Sequence, residues 1–591
     1  MENSIFQRFI KRGLSSGILS FSADNNKVTY HCVREYVTSF KNPEEKVRAA
    51  YFVELVLDYK YPKKKIDFEV LVPRRTPEDR ADIVVFEDDE CKKPYLVVEC
   101  KKDGITDAEF NQAIEQAFGN SNSLRAEYAT VIAGNTRTAF NVAGFKPSER
   151  DKNRIADIPI KYGKAPKYKF IKGEKAKELK IVSRDDLIRA LEKCHDTVWQ
   201  GGKLAPTTAF DEVSKLLFCK LRDEKYTPKG KRYDFQIGSN ETPYEVFNRV
   251  NSIYAMARKE DEDVFREEIL LEPKIVYNVV EHLQELSINK IDLDSKGIAF
   301  EKFMQDFFRG RMGQFFTPRP IVDFAVRMMD PDFEDKVIDP ACGSGGFLLH
   351  ALDYLRKEAE SKHDPMPAYK LWHQFASRKL FGIEINNQIA RVCKMNMIIH
   401  DDGHTNIINT DSLDDFNYIQ NIKRDFQEEA FDLLLTNPPF GAKVKSSEKD
   451  YLDNFNLGIT RNSTRNSQKT EILFIERCIQ FVKKGTGKIA IVLPDGILSN
   501  VSLQYVRDYI LQHTQILAVI SLPQSAFSHF GAGVKSSLLF LRRKADVEEI
   551  DDYPIFMAIA DYIGYDATGR DISKNDFPSI LEEYKNFIGE D

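Results

Sequence analysis

Phe431-Asp432-Leu433-Leu434-Leu435-Thr436-Asn437-Pro438-Pro439-Phe440 is the stretch from which the rest of the chain is read. A buried apolar strand of this kind belongs to an α/β sheet, and open α/β sheets bind ligands outside the carboxyl ends of their strands. That end carries Asn437, Pro438, Pro439 and Phe440. The chemistry that uses these residues is methylation of an exocyclic amine. An aromatic amine has its lone pair delocalised into the ring and is a poor nucleophile. An Asn side-chain carbonyl and a backbone carbonyl held rigid by proline can accept both amino hydrogens, pull the nitrogen towards tetrahedral geometry and aim its lone pair at a methyl group. This is stabilisation directed at the transition state. Phe440 can stack on a base turned out of a duplex.

The donor half of such a site lies upstream. Lys336-Val337-Ile338-Asp339 reads as a short strand running into Pro340-Ala341-Cys342-Gly343-Ser344-Gly345-Gly346 and then an apolar helix start at Phe347-Leu348-Leu349. A glycine-rich turn between strand and helix lets a ligand approach the backbone at a helix N-terminus. Leu380-Phe381-Gly382-Ile383-Glu384 is a second strand, ending in a carboxylate suited to ribose hydroxyls. Glu384 follows Asp339 by 45 residues, whereas a dinucleotide fingerprint expects about 20, which argues against NAD. Asp411, in Asn409-Thr410-Asp411-Ser412-Leu413, can accept from the adenine amino group of a cofactor.

With Gly313-Gln314-Phe315-Phe316-Thr317-Pro318 preceding them, these motifs stand in the order found in N6-adenine DNA methyltransferases, and the chain resembles the modification subunits of type I restriction systems. Thr470-Glu471-Ile472-Leu473-Phe474, Leu493-Pro494-Asp495-Gly496-Ile497-Leu498 and Gly533-Val534-Lys535-Ser536-Ser537 extend the resemblance over roughly residues 205–591. It implies a Rossmann-like α/β domain with a mostly parallel sheet, S-adenosylmethionine as cofactor and adenine in double-stranded DNA as substrate. It also implies cofactor contacts from Gly313, Gln314, Phe315, Phe316, Thr317, Pro318, Asp339, Pro340, Ala341, Gly343, Ser344, Gly345, Glu384 and Asp411, with catalysis by Asn437, Pro438, Pro439 and Phe440.

A second constellation lies near the N-terminus. Tyr95-Leu96-Val97-Val98-Glu99-Cys100-Lys101 is a strand whose two-residue period puts Glu99 and Lys101 on one face. Arg80-Ala81-Asp82-Ile83-Val84-Val85-Phe86 is another, with Asp82 located 17 residues before Glu99. An acid followed by Glu-x-Lys is the arrangement of PD-(D/E)xK nucleases. Asp82 and Glu99 would hold Mg²⁺ through hard oxygens, and Lys101 would orient water or offset phosphate charge. Gln112 and Gln116 share a helix face downstream. Together with Pro43-Glu44-Glu45-Lys46-Val47-Arg48, residues 30–140 resemble the nuclease domain of type I restriction subunits. That resemblance adds Gln112 to the site, and either Glu44 or Glu45 as its helix carboxylate.

At 591 residues and 42% hydrophobic content the chain has room for several cored domains. No run of about 18 apolar residues marks a membrane span, and Met1-Glu2-Asn3-Ser4 opens no signal-peptide pattern. Eight cysteines lack paired spacing, which fits reduced thiols in a cytoplasm. The net charge of −6 leaves DNA binding to local basic faces such as Lys63-Lys64-Lys65, and to a further subunit. The chain divides into an α/β restriction-endonuclease-like domain (1–165), a linker and helical connector (166–305) and the methyltransferase (306–591). Helices are expected at 185–191, 208–221, 243–259, 275–286 and 297–308, and a loop that orders over the flipped base at 441–468. No G-x-x-x-x-G-K-[ST] occurs, so cleavage would be ATP-independent. Only about 50 residues follow the last motif, too few for target recognition. The expectation is a bifunctional restriction–modification subunit in a hetero-oligomer with a separate specificity subunit. The rivals are a modification subunit with a non-catalytic N-terminal domain, a methyltransferase acting on glutamine or RNA adenine, and a non-catalytic scaffold.

Overall fold

The computed structural model describes residues 5–73, 78–134, 136–144, 150–175, 177–202, 204, 206–260, 267–291, 295–297, 299–300, 302–303, 317–400, 406–447, 452–460, 463–528, 533–546 and 552–589. It has two compact units, Met1–Lys203 with Lys215–Ile291, and Leu204–Ser214 with Asp292–Asp591. Among the described residues no helix is long and apolar enough to cross a membrane.

In the first unit a small antiparallel sheet of β1 (Leu19–Phe21), β2 (Lys27–His31) and β3 (Glu35–Ser39) precedes a six-stranded sheet. The latter runs β4 (Ile66–Val72), β5 (Asp79–Phe86), β6 (Pro94–Lys101), β7 (Tyr128–Ala133), β8 (Thr136–Asn141), β9 (Arg154–Ile155), side by side in chain order. Its one parallel pair is β6 with β7, because the helix Asp107–Leu124 carries the chain back between them. Thr106 and Glu109 start that helix with a reciprocal capping box. Strands β5 and β6 are covered on both faces, hence their apolar sequences. Helix Pro43–Leu57, begun by the Asn42 cap and Pro43, sends Val47, Phe52 and Leu55 into a core with Tyr30, Phe68 and Val98. Further helices span Arg184–Gly202, Pro243–Glu260 and Pro273–Leu283. The first is longer than the apolar period implies, and much of the expected 297–308 helix lies outside the described residues.

The second unit is built on β10 (Val337–Asp339), β11 (Leu380–Glu384), β12 (Ile407–Asn409), β13 (Leu433–Thr436), β16 (Lys488–Pro494), β17 (Thr514–Ser521), β18 (Ser536–Arg543) and β19 (Phe556–Ile559). They form one sheet in the order β12-β11-β10-β13-β16-β18-β17-β19, and β18 alone runs against the others. The two intervening strands, β14 (Lys443–Lys445) and β15 (Ser467–Lys469), pair only with each other. Strand β13 shows why the apolar run has no alternation. Leu433 and Leu435 pack on one side with Leu352 and Trp372, and Leu434 on the other with Ile472 and Ile475. Helices therefore cover both faces, as expected of a mostly parallel sheet. The chain steps outward from β10 to β12, then returns to place β13 on the other flank of β10. This reversal opens a crevice at the carboxyl ends of β10 and β13, where ligands of such sheets bind.

The described residues of 441–468 carry more structure than their polar composition implies. β14 and β15 form a hairpin, and Leu452 and Phe455 are buried with Leu473 and Phe474. Glu476 accepts the backbone N–H groups of Asn456 and Leu457, both at 2.8 Å. A helix carboxylate thus anchors the turn, a contact between segments that composition does not express.

Candidate active sites

At the C-terminal end of β13, Asn437 is half-buried, Pro438 buried, Pro439 exposed and Phe440 half-buried against the core. The Asn437 amide Nδ2 donates to Thr317 Oγ1 at 3.0 Å. Its Oδ1 is buried and has no hydrogen-bond partner among the described residues. Buried polar atoms are rarely left so. An acceptor of this kind is chemically able to take an N–H from a ligand.

On the adjoining strand Asp339 is buried, its Oδ1 accepting from Thr436 Oγ1 at 2.7 Å and from the Ala341 amide at 3.0 Å. Burial pushes its carboxyl up to about 7, although both bonds favour the charged form. Thr436 thereby ties the strand that carries Asn437 to the root of the glycine loop. In that loop Gly343 and Gly345 have φ of +52° and +89°, a backbone that favours glycine. A Cβ on Gly345 would stand 2.9 Å from Cys393 Sγ. The Gly343 amide donates to Glu384 Oε2 at 3.1 Å, and the Asn386 amide to Oε1 at 2.7 Å. Burial raises the Glu384 carboxyl. Ser344 is held through its carbonyl by Asn396 Nδ2 at 3.0 Å. Asp411 is half-buried and turns the chain by accepting the Leu413 amide at 3.0 Å. Pro340 accepts the hydroxyl of Ser412, so the Asp339 and Asp411 loops touch. Pro318 precedes helix Arg319–Met329. Gly313, Gln314, Phe315 and Phe316 lie outside the described residues. The positive-φ turn, the Glu384 carboxylate one strand away and the free Asn437 oxygen fit S-adenosylmethionine with an amine opposite it.

In the first unit the antiparallel register pairs Ile83 with Val98, which sets Asp82 across from Glu99. Lys101 Nζ donates to Glu99 Oε1 at 2.8 Å. Glu99 Oε2 is buried and unpartnered among the described residues. Burial, then the charge of Asp82, pushes the Glu99 carboxyl up to about 8. Asp82 Oδ2 accepts the Cys100 amide at 2.6 Å, and its Oδ1 pairs with Arg48. Glu45 is buried, accepting from Tyr30 and from Arg48 at 3.2 Å. Glu44 is half-buried, its carboxyl raised by burial and then by Asp82. Gln112 is exposed, whereas Gln116, one turn on, donates to Asp79 at 3.3 Å. Among the described residues no group of three or more His, Cys, Asp or Glu stands ready to hold a metal ion. As arranged these residues do not fit Mg²⁺, since Arg48 engages Asp82 Oδ1 and Glu45 Oε2 and the Cys100 amide engages Asp82 Oδ2.

Arg48 and Thr436 each hold a candidate site residue, Asp82 and Asp339, a part that the motifs do not assign them. Arg48 follows Glu45 by one helical turn and so shares its face, a signal that the spacing does carry. Thr436 looks like the last residue of an apolar strand. Glu471, which accepts the Gly441 amide just past Phe440 at 3.1 Å, belongs with them.

Residues 292–591, just over half of the chain, match the family described as N-6 DNA Methylase. The chain belongs to this family. The methylase match encloses Thr317, Asp339, Glu384, Asp411 and Asn437. Residues 43–159 match the type I restriction enzyme R protein N terminus, a span that holds Glu45, Asp82 and Glu99. The type I restriction enzyme EcoEI methylase subunit of Escherichia coli is 26% identical over 279 residues, 44% of this chain and 50% of that protein. The chain thus spans about half the length of that relative. The type II restriction enzyme and methyltransferase RM.BcgI of Heyndrickxia coagulans is 24% identical over 233 residues, 39% of this chain and 31% of its own. The crystal structure of a type I restriction-modification system methyltransferase subunit from Streptococcus thermophilus superposes with a TM-score of 0.52 at 18% identity, over 68% of this chain and 94% of that one. The two share the α/β methyltransferase fold.

Proposed function

We propose that this N-6 DNA methylase transfers a methyl group from S-adenosylmethionine to adenine N6 in double-stranded DNA, as the modification component of a restriction system. The observation that carries this reading is Asn437 Oδ1, a buried acceptor left free beside the glycine loop while Thr317 holds the other end of the amide. When bound, the cofactor supplies an electrophilic methyl group. Glu384 would hold its ribose hydroxyls, Asp411 its adenine amine and the 339–345 loop its amino-acid end, with Gly313–Pro318 completing the enclosure. Asn437 Oδ1 and the Pro438 carbonyl would then accept both hydrogens of the substrate amine and localise its lone pair, while Phe440 stacks on the flipped base. Pro438 limits backbone freedom at the point where the acceptor must not drift.

The N-terminal unit is read as a second, Mg²⁺-dependent site for ATP-independent DNA cleavage, through Asp82, Glu99, Lys101 and Gln112. Its support is the match to the R protein N terminus and the orphaned Glu99 oxygen. No cleavage step follows from the present arrangement, in which Arg48 and the Cys100 amide take the Asp82 oxygens. We assign cleavage to 1–165, docking to 166–305 and methylation to 306–591. Base readout needs side chains in the grooves, and the three parts are assigned other tasks. A separate specificity subunit would supply it in a cytoplasmic hetero-oligomer, docked on 185–305 and on 550–591. The test is tritiated-methyl transfer to mixed-sequence duplex DNA by the purified chain. Alone it should label weakly and without sequence preference, losing activity steeply with salt. With its specificity subunit, a single motif should dominate. Efficient labelling of one motif by the chain alone would remove the partner. Labelling of RNA or protein in place of DNA would remove the substrate.

A further inference from the structure

The acidic cluster of the first unit already contains a cation. Arg48 Nη1 lies 2.9 Å from Glu69 and 3.2 Å from Glu45, and its Nη2 pairs with Asp82. Arg48 is 6% exposed and comes off helix Pro43–Leu57 on the face that carries Glu45. An oxygen that accepts a guanidinium N–H in this geometry is not open to a metal, and the other Asp82 oxygen already accepts the Cys100 amide. The charge that would draw a divalent ion is reduced as well, because Arg48 faces Glu45, Glu69 and Asp82 while Lys101 pairs with Glu99. Two atoms in the cluster remain unsatisfied among the described residues, Glu99 Oε2, on a residue 2% exposed, and Arg48 Nε. A buried oxygen left without a partner costs about 1–3 kcal/mol. A resting ion-pair network would have no use for it, whereas an incoming metal would.

We infer that Arg48 is a tethered cation seated in the metal position formed by Asp82, Glu45 and Glu99, and that a divalent ion enters only when this guanidinium swings out. The inference rests on the nuclease reading of the N-terminal unit. Its consequence is a cleavage site that stays closed in the free protein at millimolar Mg²⁺.

The probe is Mn²⁺, titrated into the full chain and followed by electron paramagnetic resonance. Wild type and Asp82→Asn are expected to bind Mn²⁺ identically. Arg48→Gln should gain a saturable site that Arg48→Gln/Asp82→Asn lacks, and Arg48→Lys, which keeps a cation, should gain none. An Asp82-dependent Mn²⁺ site in the wild type overturns the inference, as does a folded Arg48→Gln with no added site. Should Arg48→Gln fail to fold, the comparison of wild type with Asp82→Asn decides alone. DNA cutting is scored separately. Mn²⁺ gained by Arg48→Gln without cutting keeps the inference and removes the nuclease reading. A wild type that binds Mn²⁺ through Asp82 and cuts DNA does the reverse.

Discussion

Asn437→Ala separates substrate chemistry from cofactor binding. The substitution deletes the free Oδ1 acceptor and the Nδ2 donor to Thr317, and leaves the glycine loop, Asp339 and Glu384 untouched. Removing one preorganised hydrogen-bonding group aimed at developing charge lowers turnover by about 10²–10³, or roughly 3–4 kcal/mol. Fold stability responds in the opposite sense. The lost Thr317 bond is worth about 1 kcal/mol, but a buried oxygen without a partner costs about 1–3 kcal/mol, and the variant removes both. The melting temperature of the apoprotein should therefore hold or rise slightly. The assay is single-turnover transfer of tritiated methyl to DNA, with calorimetric titration of S-adenosylmethionine alongside. We expect the rate to collapse while the cofactor Kd stays within about threefold, an allowance of under 1 kcal/mol. If Kd weakens as far as the rate falls, Asn437 serves the cofactor, and the assignment of its free oxygen to the amine is wrong.

Three further outcomes are expected. Gly345→Ala places a side chain at φ +89° and 2.9 Å from Cys393 Sγ. It should destabilise by about 1–2 kcal/mol from the backbone alone and weaken cofactor binding. Part of the loss should return in Gly345→Ala/Cys393→Ala, and no recovery there would locate the strain elsewhere. The Asp339 carboxyl stands at about 7 in the fold against an ordinary 3.8, so the native state holds a proton that the unfolded chain releases. Its contribution is complete below pH 4 and declines as pH rises towards 7 and beyond, by a few kcal/mol in total. Melting curves of the apoprotein from pH 4 to 8 should show this slope, and Asp339→Asn should flatten it; an equal slope in the variant would assign it to another group. Asp82→Ala, Glu99→Ala and Lys101→Ala should each abolish any Mg²⁺-dependent, ATP-independent cutting by the assembled complex and leave DNA methylation at the wild-type rate. Cutting that survives Glu99→Ala would count against the nuclease reading.

Local chemistry carried much of this protein in its sequence. The apolar run 431–436, the glycine turn after Asp339 and the acid ending β11 each report their own surroundings, because burial, positive φ and strand ends restrict residue choice over a few positions. The α/β class followed from these, and the methylase reading from the family resemblance that they carry together with the other motifs. What the tertiary structure decided depends on residues far apart in the chain meeting at one point. Thr317 meets Asn437 across 120 residues and Thr436 meets Asp339 across 97. Arg48 meets Asp82 across 34, turning an apparent metal site into an occupied one. The turn at Asn456 and Leu457 is held by Glu476 on the following helix, which its own composition does not register. A hydrogen bond or ion pair depends on distance in space, and sequence spacing sets that distance only within a turn of helix or a step of strand. Beyond that range the packing of the sheets chooses which polar groups are satisfied and which, like Asn437 Oδ1 and Glu99 Oε2, have no partner among the described residues.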